Sequence, residues 1–418
     1  MFQVLSRSWA LLLGMMLLMV GNGLQGTLLG VRGGIEGFST FEMSIVMSAY
    51  FAGFLGGSRV APEMIRRVGH VRVFAALASF ISAILILYPA FAHPVAWALG
   101  RVVIGFCFSG VYVTAESWLN NSADNTNRGK ALSVYMIVQM FGIVSAQVLL
   151  AMGDVSGYAL FIVSSVLVSI SFAPILLSIS PTPAFETAKP MRLKTLIQIS
   201  PLGCFGMFLL GGVFSAQFGM SAVYGVAAGL TIAQISLFVS SIYVGALLMQ
   251  YPIGWFSDRV DRRLVILIVA SLGGVMSLVA FSFDQYFSAL LVAAFIIGGT
   301  SNPLYSLLIA YTNDYLEADD MASASGGLIF INGMGAIAGP LVTGKMMDTF
   351  GTQAFFMVIA TLMLTLTGYA GYRMTQRSRD GVEDGLYAPV MPSSSPVAVE
   401  VASEYYIEIA MDDEENET

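Results

Sequence analysis

The sequence predicts an all-α membrane protein in which twelve transmembrane helices form two six-helix bundles, with both termini in the cytoplasm. Three observations predict this class. First, 56% of the 418 residues are hydrophobic and only 11% are charged, whereas soluble domains carry about 25% charged residues. Second, uncharged stretches long enough to cross a bilayer follow one another along the chain. Third, Phe51-Ala52-Gly53 recurs as Tyr243-Val244-Gly245, which indicates two repeated halves.

The spans are placed by charge, because a bilayer core of about 30 Å needs roughly 20 apolar residues per helix. Eight uncharged runs of that length occupy residues 8–31, 73–92, 131–153, 155–185, 264–283, 285–313, 321–344 and 349–372. The uncharged run 195–257 holds two more helices, separated near Gly225–Gly229. The shorter runs 43–58 and 102–115 become full spans if Arg59 lies within the first, and Arg101 and Glu116 within the second.

The orientation follows from lysine and arginine, which are enriched in cytoplasmic loops. With the N-terminus inside, 15 of the 19 basic residues fall at cytoplasmic ends and loops. The first run, 8–31, is too long for a signal-peptide core, so it is predicted to be a retained helix. These features predict a multi-pass membrane protein, with the lipid bilayer as its surroundings.

Four segments are predicted along the chain. Residues 1–180 form the N-terminal six-helix bundle, 181–195 a Pro-rich cytoplasmic linker, and 196–376 the C-terminal six-helix bundle. Residues 377–418 form a disordered acidic cytoplasmic tail. Eight acids and no base lie from residue 396 onward, and without them the net charge of −7 becomes +1. No basic patch for nucleic acid remains, so no nucleic-acid partner is expected.

A charged loop lies between two lipid-length apolar segments, with the pattern G-x-x-x-D-R-x-x-R-R from Gly254 to Arg263. A carboxylate at the C-terminal end of a helix opposes the helix dipole. Asp258 is therefore predicted to have a partner, either an arginine or the N-terminus of another helix. Gly254 lies one turn earlier and would let that helix come close. A basic loop of an unrelated polytopic protein is the alternative.

This pattern resembles the cytoplasmic loop motif of the major facilitator superfamily of secondary transporters. Three further stretches resemble the same family: Arg66–Arg72, Arg101–Gly105 and Gly335–Pro340. The first-half loop departs from the family in having arginine at the position of the family's aspartate. The resemblance covers about residues 8–375, and Ala115–Leu119 is further similar to the bacterial YcaD-like branch. It implies the twelve-helix fold of this superfamily, transport by alternating access, and a multi-pass location in the bacterial inner (plasma) membrane.

Substrate-binding candidates are polar side chains near the bilayer midplane, because ionisable groups in the membrane are costly and usually functional. Arg101 is predicted to hold an anionic substrate or to set the pKa of a proton-carrying acid. An arginine that snorkels to the outer surface is the alternative. Neutral polar residues at mid-span are the other cavity candidates, each alternatively a helix–helix hydrogen bond. They are Asn22, Gln25, Gln139, Gln217, Tyr243, Asn302 and Asn332.

Gating candidates lie at the predicted cytoplasmic ends of the spans. The loop motif implies gating roles for Gly254, Asp258, Arg259, Arg262, Arg67 and Gly69. Glu116 lies 15 residues after Arg101, about 22 Å along one helix, so these two side chains cannot pair there. Glu116 is predicted to form a gate or a loop-anchoring salt bridge, and a midplane proton site is the alternative.

The function predicted is secondary active transport of a small organic solute, anionic or zwitterionic, by a monomer coupled to a proton or cation. One alternative is a transport-fold sensor or a drug or metabolite effluxer, signalling or regulated through its tail. Gly142 is followed by Ile143, so the Gly-Pro motif of drug–proton exporters is missing. An enzyme is not expected, since His70 and His93 lie at opposite membrane faces. No catalytic residue, cofactor or metal site is predicted.

Overall fold

The computed structural model describes residues 2–122, 128–177, 191–316, 318–376, 387, 389–395, 398–399 and 402. The regular structure of these residues is helical. The helices are α1 (Phe2–Ile35), α2 (Thr40–Val68), α3 (His70–Ala90), α4 (Pro94–Ser122), α5 (Arg128–Met152), α6 (Ala159–Ser171), α7 (Ala173–Leu177), α8 (Leu193–Ile199), α9 (Pro201–Ser215), α10 (Ser221–Ala227), α11 (Ile232–Ser257), α12 (Arg262–Ser282), α13 (Phe287–Asn313), α14 (Ala318–Phe350) and α15 (Ala354–Gln376). A π-helical turn, Ala216–Met220, joins α9 to α10. The predicted linker residues 181–190 and tail residues 377–386 and 403–418 lie outside the described residues.

Eleven helical segments of the described chain are long and apolar enough to cross a membrane. They are α1, α3, α4, α5, α6 with α7, α9 with α10, and α11 to α15. The helix α2 has 29 residues but is not among them. It carries charged side chains at both ends and Arg59 within it. The all-helical class is thus confirmed for the described residues, with eleven candidate membrane spans, and α2 as the twelfth span stays a prediction.

The same tight turn precedes the second helix of each half. Gly37 and Gly229 have φ angles of 77° and 72°, a left-handed conformation that glycine adopts without steric cost. Phe38 N–H donates to the Gly33 carbonyl, and Leu230 N–H donates to the Gly225 carbonyl, both at 2.9 Å. Each residue of the first turn has its equivalent 192 positions later, the offset of the sequence repeat.

The helices that follow these turns begin with equivalent N-terminal caps. The Ser39 hydroxyl accepts from Glu42 N–H at 3.2 Å, while the Glu42 carboxylate accepts from Ser39 N–H at 2.8 Å. Thr231 and Gln234 form the same capping box at the start of α11. Such a box satisfies two of the backbone donors that a helix N-terminus leaves unpaired. The repeat therefore extends from sequence to local hydrogen bonding.

Glycines bring two helix pairs into backbone contact within the halves. A side chain on Gly53 of α2 would overlap the Val102 carbonyl of α4, and one on Gly105 would overlap the Tyr50 carbonyl. In the second half, Gly245 of α11 lies equally close to the Phe295 carbonyl of α13. Small residues permit such packing between membrane helices, where no hydrophobic effect holds helices together.

The two halves pack directly at one end of the bundle. We call the end around Gly37 the outer end and the end around Gly69 the inner end; these are the predicted external and cytoplasmic ends. At the outer end α1 meets α10, where Gly30 lies against Ala222. The helices α2 and α14 also meet, since the Ser48 hydroxyl donates to the Ile337 carbonyl at 2.6 Å. The outer end is therefore closed by helix–helix contact.

At the inner end, residues of the C-terminal tail pack against the helices. Tyr387, Val390, Val399 and Ala402 are buried and belong to the main hydrophobic core. Met391 is buried in a small cluster with Met140 of α5 and Ala246 of α11. The sequence predicts a disordered tail over 377–418, but its described residues are packed, because Tyr387 to Val399 contain apolar and small side chains and no charge.

Candidate functional site

A cavity of about 170 Å³ lies between the two halves. Its wall is mostly apolar, with one buried cation and several amide side chains. Residues from both halves and from the tail line it: Asn22, Gln25, Tyr50, Phe51, Phe54, Leu55, Ser58, Arg101, Tyr112, Met140, Ile143, Phe214, Gln217, Phe218, Ser221, Val239, Tyr243, Asn302, Ile329, Asn332, Ala336, Met391, Pro392 and Ser393, with neighbouring small residues. An apolar cavity with a few converging polar groups is the usual form of a small-molecule site.

Arg101 carries the positive charge of this cavity. Its side chain is 4% exposed, and its Nη1 donates to the Gln25 side-chain oxygen at 3.0 Å. Its guanidinium lies over the Tyr50 ring, 4.7 Å from the centroid, and Nη2 contacts the Met47 sulfur at 3.3 Å. Nε has no hydrogen-bond partner, and no carboxylate pairs with Arg101 among the described residues. The snorkelling alternative does not describe this placement.

Two polar residues of α1 extend the hydrogen-bond network of Arg101. Gln25 accepts from Arg101 and donates its own amide N–H to the Asn22 side-chain oxygen at 3.2 Å. Both side chains line the cavity. Three of the residues proposed from the sequence are thus joined by hydrogen bonds across α1 and α4. The Gln25 amide is oriented by this network, with its oxygen toward the guanidinium.

The second half contributes neutral donors and acceptors. The π-helical turn directs Gln217 at the cavity, and π-turns inside helices are frequent at functional sites. Gln217 accepts from the Ser301 hydroxyl at 2.9 Å, while its Nε2 has no partner within the described structure. Both polar atoms of the Asn302 side chain are buried without a hydrogen bond there. Buried amides are nearly always hydrogen-bonded, so these atoms are suited to a bound molecule.

The remaining predicted cavity residues divide. Asn332 lines the cavity and donates to the Met207 carbonyl at 3.0 Å, so it also joins two helices. Tyr243 lines the cavity and stacks on Phe218, with 4.9 Å between ring centroids. Gln139 is buried but is not part of the cavity wall. Tyr50 also lines the cavity and was not among the sequence candidates, because the sequence does not show which face of α2 points at the cavity.

The predicted gating residues of the second half lie at the inner end. Asp258 accepts from the backbone N–H of Tyr387 at 2.7 Å, and the Tyr387 ring lies against Gly254. The sequence predicted an arginine or another helix as the partner, and the structure instead provides the tail. Loss of water around this carboxyl raises the pKa of Asp258, against the opposing effects of the Tyr387 N–H, Arg262 and Arg259.

The arginines of the loop motifs have separate partners. Arg262 is buried and forms an ion pair with Asp314, which joins the start of α12 to the end of α13. Arg259, in the turn after α11, packs over Trp255 at the end of that helix, 4.1 Å from the ring centroid. Arg67 pairs with Glu63 within α2 at 2.5 Å. Gly69 has a φ angle of 84° and ends α2. Asp314 was not predicted, although it follows the last residue of an apolar span.

Glu116 is buried at the inner end of α4, with 1% of its side chain exposed. Its Oε2 accepts from Ser395 N–H of the tail at 2.7 Å. The Tyr135 hydroxyl donates to Oε1 at 3.4 Å. The sequence predicted a gate or a salt bridge, but no basic side chain pairs with Glu116 in the part of the chain that is described. Its role as a proton site stays a prediction.

Two family models match the chain. The model described as Major Facilitator Superfamily matches residues 203–386, and the model described as Sugar (and other) transporter matches residues 30–195. Each model thus covers one of the two halves. The uncharacterized MFS-type transporter YcaD of Escherichia coli is 27% identical over 375 residues, which cover 87% of this chain and 95% of YcaD.

Solved transporter structures share the fold. The nucleoside transporter NupG has a TM-score of 0.71 and 15% identity, over 89% of this chain and all of NupG. An inward-facing, unoccupied bacterial homologue of the human lysosomal transporter Spinster has a TM-score of 0.68 and 13% identity, over 97% of this chain and 98% of that protein. The Escherichia coli fucose:proton symporter FucP has a TM-score of 0.57 and 16% identity, over 87% and 98%. At such identities the likeness shows the fold alone.

Proposed function

The chain belongs to the major facilitator superfamily, and from that premise we propose that this transporter carries a small organic anion or zwitterion by alternating access. It is a transporter and not an enzyme. One observation carries the proposed substrate class: Arg101 is buried in the wall of the cavity without a carboxylate partner among the described residues. A buried charge without a counter-charge is costly, so an anionic group of the substrate would complete the site.

The amides of the second half add to this proposal. Gln217 and Asn302 carry buried polar atoms without partners in the described structure. They suit a molecule that has hydrogen-bonding groups beyond its anionic end. Guanidinium groups bind carboxylates through two parallel hydrogen bonds. We therefore assign the anionic end to Arg101 and the neutral polar end to Gln217 and Asn302.

The membrane arrangement is part of the same proposal. We assign twelve spans, with α2 as the one that carries Arg59, and both termini in the cytoplasm of a bacterial cell. Packing of α2 between α4 and α14 supports its place in the bundle, since Gly53 contacts α4 and Ser48 contacts α14. The outer end is closed by direct contact of the halves, which supports a state facing the cytoplasm. We propose a monomer coupled to a proton or cation.

Ligand binding tests the substrate class directly. Purified protein is screened by thermal shift, at two pH values, against small carboxylates, zwitterions, nucleosides and sugars. The last two classes are included because NupG is a nucleoside transporter and FucP a fucose symporter. We expect carboxylates or zwitterions to stabilise the protein, by about 2.7 kcal/mol at a hundredfold excess over Kd. The shift should disappear in Arg101→Gln.

Stabilisation by neutral sugars or nucleosides alone, equal in Arg101→Gln, would overturn the proposed substrate class. Proton coupling is tested on the ligand identified in this way. In proteoliposomes, we expect an imposed pH gradient to accelerate uptake at equal ligand concentration, and a protonophore to abolish the acceleration. Uptake that is insensitive to both would remove the proton and leave a cation as the coupling ion, tested with a sodium gradient.

Efflux of amphiphilic compounds is a second candidate function. The cavity wall contains Phe51, Phe54, Phe214 and Phe218, together with flexible methionines, and methionine-rich surfaces adapt to varied ligands. The charge of Arg101 disfavours cationic drugs, so the compounds would be amphiphilic anions. The same panel decides this point if it includes aromatic carboxylates of increasing size. Binding strength that rises with apolar area, without preference for shape, would favour efflux.

A further inference from the structure

The tail residues described in the structure lie in the inner end of the bundle, between its halves. They are Tyr387, 389–395, 398–399 and 402. Tyr387, Val390, Met391, Ser395 and Val399 are at most 5% exposed. The thirteen residues from Tyr387 to Val399 contain no charge, whereas Asp384 and Glu400 flank them. An uncharged segment of this kind can be buried without the cost of dehydrating an ion.

The second half binds the backbone of this segment. Asp258 accepts from Tyr387 N–H at 2.7 Å. The Ser306 hydroxyl accepts from Val390 N–H at 2.9 Å and donates to the Val390 carbonyl at 3.1 Å. Gln250 donates to the same hydroxyl at 3.0 Å, which holds Ser306 in place. Both backbone polar groups of Val390 are therefore satisfied by one buried serine.

The first half binds the segment further along. Glu116 accepts from Ser395 N–H at 2.7 Å, and this buried hydrogen bond satisfies a backbone donor of the tail. A turn joins the two anchor regions, in which Ser394 N–H donates to the Met391 carbonyl at 2.9 Å. Side chains of this turn, from Met391 to Ser393, form part of the cavity wall. Met391 contacts Met140 of the first half and Ala246 of the second.

We propose that the inner end is a binding site for an uncharged peptide that contains a turn, that its ligand is the described part of this chain's own tail between Tyr387 and Val399, and that the bound tail closes the inner mouth of the cavity. The site recognises backbone groups through Asp258, Ser306 and Glu116, and it places Met391 at the junction of the halves. A solute in the cavity then leaves toward the inner end only after the tail dissociates. This inference goes beyond the proposed function and holds for any substrate.

Thiol labelling of the full-length protein tests this site. Cys107 and Cys204 are buried, so the wild-type chain supplies the blank. Ser393→Cys places a thiol in the bound turn, and Gln376→Cys places one at the exposed end of α15. Because labelling of a protected group follows the fraction of open molecules, we expect the thiol at position 393 to react at least about tenfold more slowly than the thiol at position 376. Equal rates would overturn the proposal.

A matched pair of serine variants tests the anchor. Ser306→Ala removes both hydrogen bonds to Val390, and we expect it to raise the labelling rate at position 393 about tenfold. Ser277→Ala removes an equally buried hydroxyl that donates to the Gly273 carbonyl within α12, and it should leave the rate unchanged. If the two variants have the same effect, general destabilisation and not release of the tail explains the labelling.

A third position tests closure of the mouth. Ser58 lies on α2 and lines the cavity, so a large impermeant reagent reaches the thiol of Ser58→Cys only through an opening in the bundle. We expect Ser306→Ala to raise the labelling rates at positions 58 and 393 by the same factor. Rapid labelling at position 58 while position 393 stays protected would show that the bound tail leaves the mouth open.

Discussion

Arg101 is buried where α1, α2 and α4 meet, and its contacts within the described structure are neutral. Gln25 and Met47 occupy its Nη atoms, and the Tyr50 ring covers one face. An aromatic face stabilises a cation by about 2 kcal/mol when desolvated, which offsets only part of the cost of burial. Under the proposed function, the anionic group of the substrate would lie at the edge that carries the unpaired Nε.

Substitutions of Arg101 distinguish the contribution of its planar guanidinium group from that of its positive charge. We expect Arg101→Lys to lose about tenfold or more in uptake, because lysine keeps the charge but lacks the two-pronged donor. Arg101→Gln should lose uptake entirely while its folded yield stays near wild type. Uptake of the ligand found in the binding screen, normalised to folded protein, gives the answer.

Lys345→Gln is the matched control, since Lys345 is an exposed cation at the outer end of α14. It should transport normally. Normal uptake by Arg101→Gln would end the binding role of Arg101 and leave it as a structural cation.

At the scale of single residues, the sequence identifies a charged cavity residue more readily than an aromatic one. Arg101 was identifiable because a cation within an apolar span of membrane length is costly and usually serves function. Tyr50 and Phe218 were not, since the sequence does not show which face of an apolar helix points at the cavity. Gln139 resembles Gln217 in the sequence, and only the π-helical turn and the helix rotations decide that Gln217 reaches the cavity.

At the scale of elements, two glycines of α2 provide a direct comparison. A Cβ on Gly53 would overlap the backbone of α4 at Val102, whereas one on Gly56 would meet a single ring atom of Phe106 at 3.9 Å. We expect Gly53→Ala to destabilise the protein by about 1–3 kcal/mol, because two backbones must separate. Gly56→Ala should be neutral or stabilising, since alanine favours the helix by up to about 1 kcal/mol.

Thermal unfolding of the purified variants in one detergent measures both changes. Gly245→Ala repeats the experiment in the second half, where the Phe295 carbonyl takes the place of Val102. If Gly53→Ala and Gly56→Ala unfold at the same temperature, α2 and α4 are not in backbone contact.

Helix positions were largely predictable because charged residues mark the ends of membrane spans. The division of the long uncharged run near Gly225–Gly229 agrees with the end of α10 at Ala227 and the start of α11 at Ile232. The π-helical turn within the preceding span could not be predicted. It depends on a local shift of hydrogen bonds, and no proline or charge marks it in the sequence.

At the scale of the whole molecule, the sidedness of α2 is the decisive test of the topology. If α2 crosses the membrane, Gly37 and Gly69 lie on opposite sides. We expect a reporter fused after Gly37 to lie outside the cell, and reporters fused after Gly69 and after Arg379 to lie in the cytoplasm. Paired alkaline phosphatase and fluorescent-protein fusions measure this.

If the reporters after Gly37 and Gly69 lie on the same side of the membrane, α2 does not cross the bilayer. A reporter outside the cell after Arg379 would remove an odd number of spans. Either result would also contradict the equivalence of the two halves, in which Gly37 and Gly229 occupy corresponding turns.

The described residues of the tail are packed, although the composition of the tail predicts disorder. The prolines and serines from Pro389 to Pro396, and the eight acids that follow, are typical of disorder. The uncharged stretch from Tyr387 to Val399 is too short to register as an element of structure by itself. Its burial depends on Asp258, Ser306 and Glu116, which lie more than eighty residues away in the chain, and no local pattern contains that information.

The glycine contacts of α2 with α4, and of α11 with α13, also restrict how the helices of each half can move relative to one another. Two helices in backbone contact cannot slide past each other without separating along their length, so we expect each half to rotate as one rigid body. A rigid half that rotates about its middle moves its outer and inner ends in opposite directions. If the halves separate around Gly37, they must approach each other around Met391. We therefore expect the bound tail to block this approach, so that it must dissociate before the protein can adopt an outward-facing state.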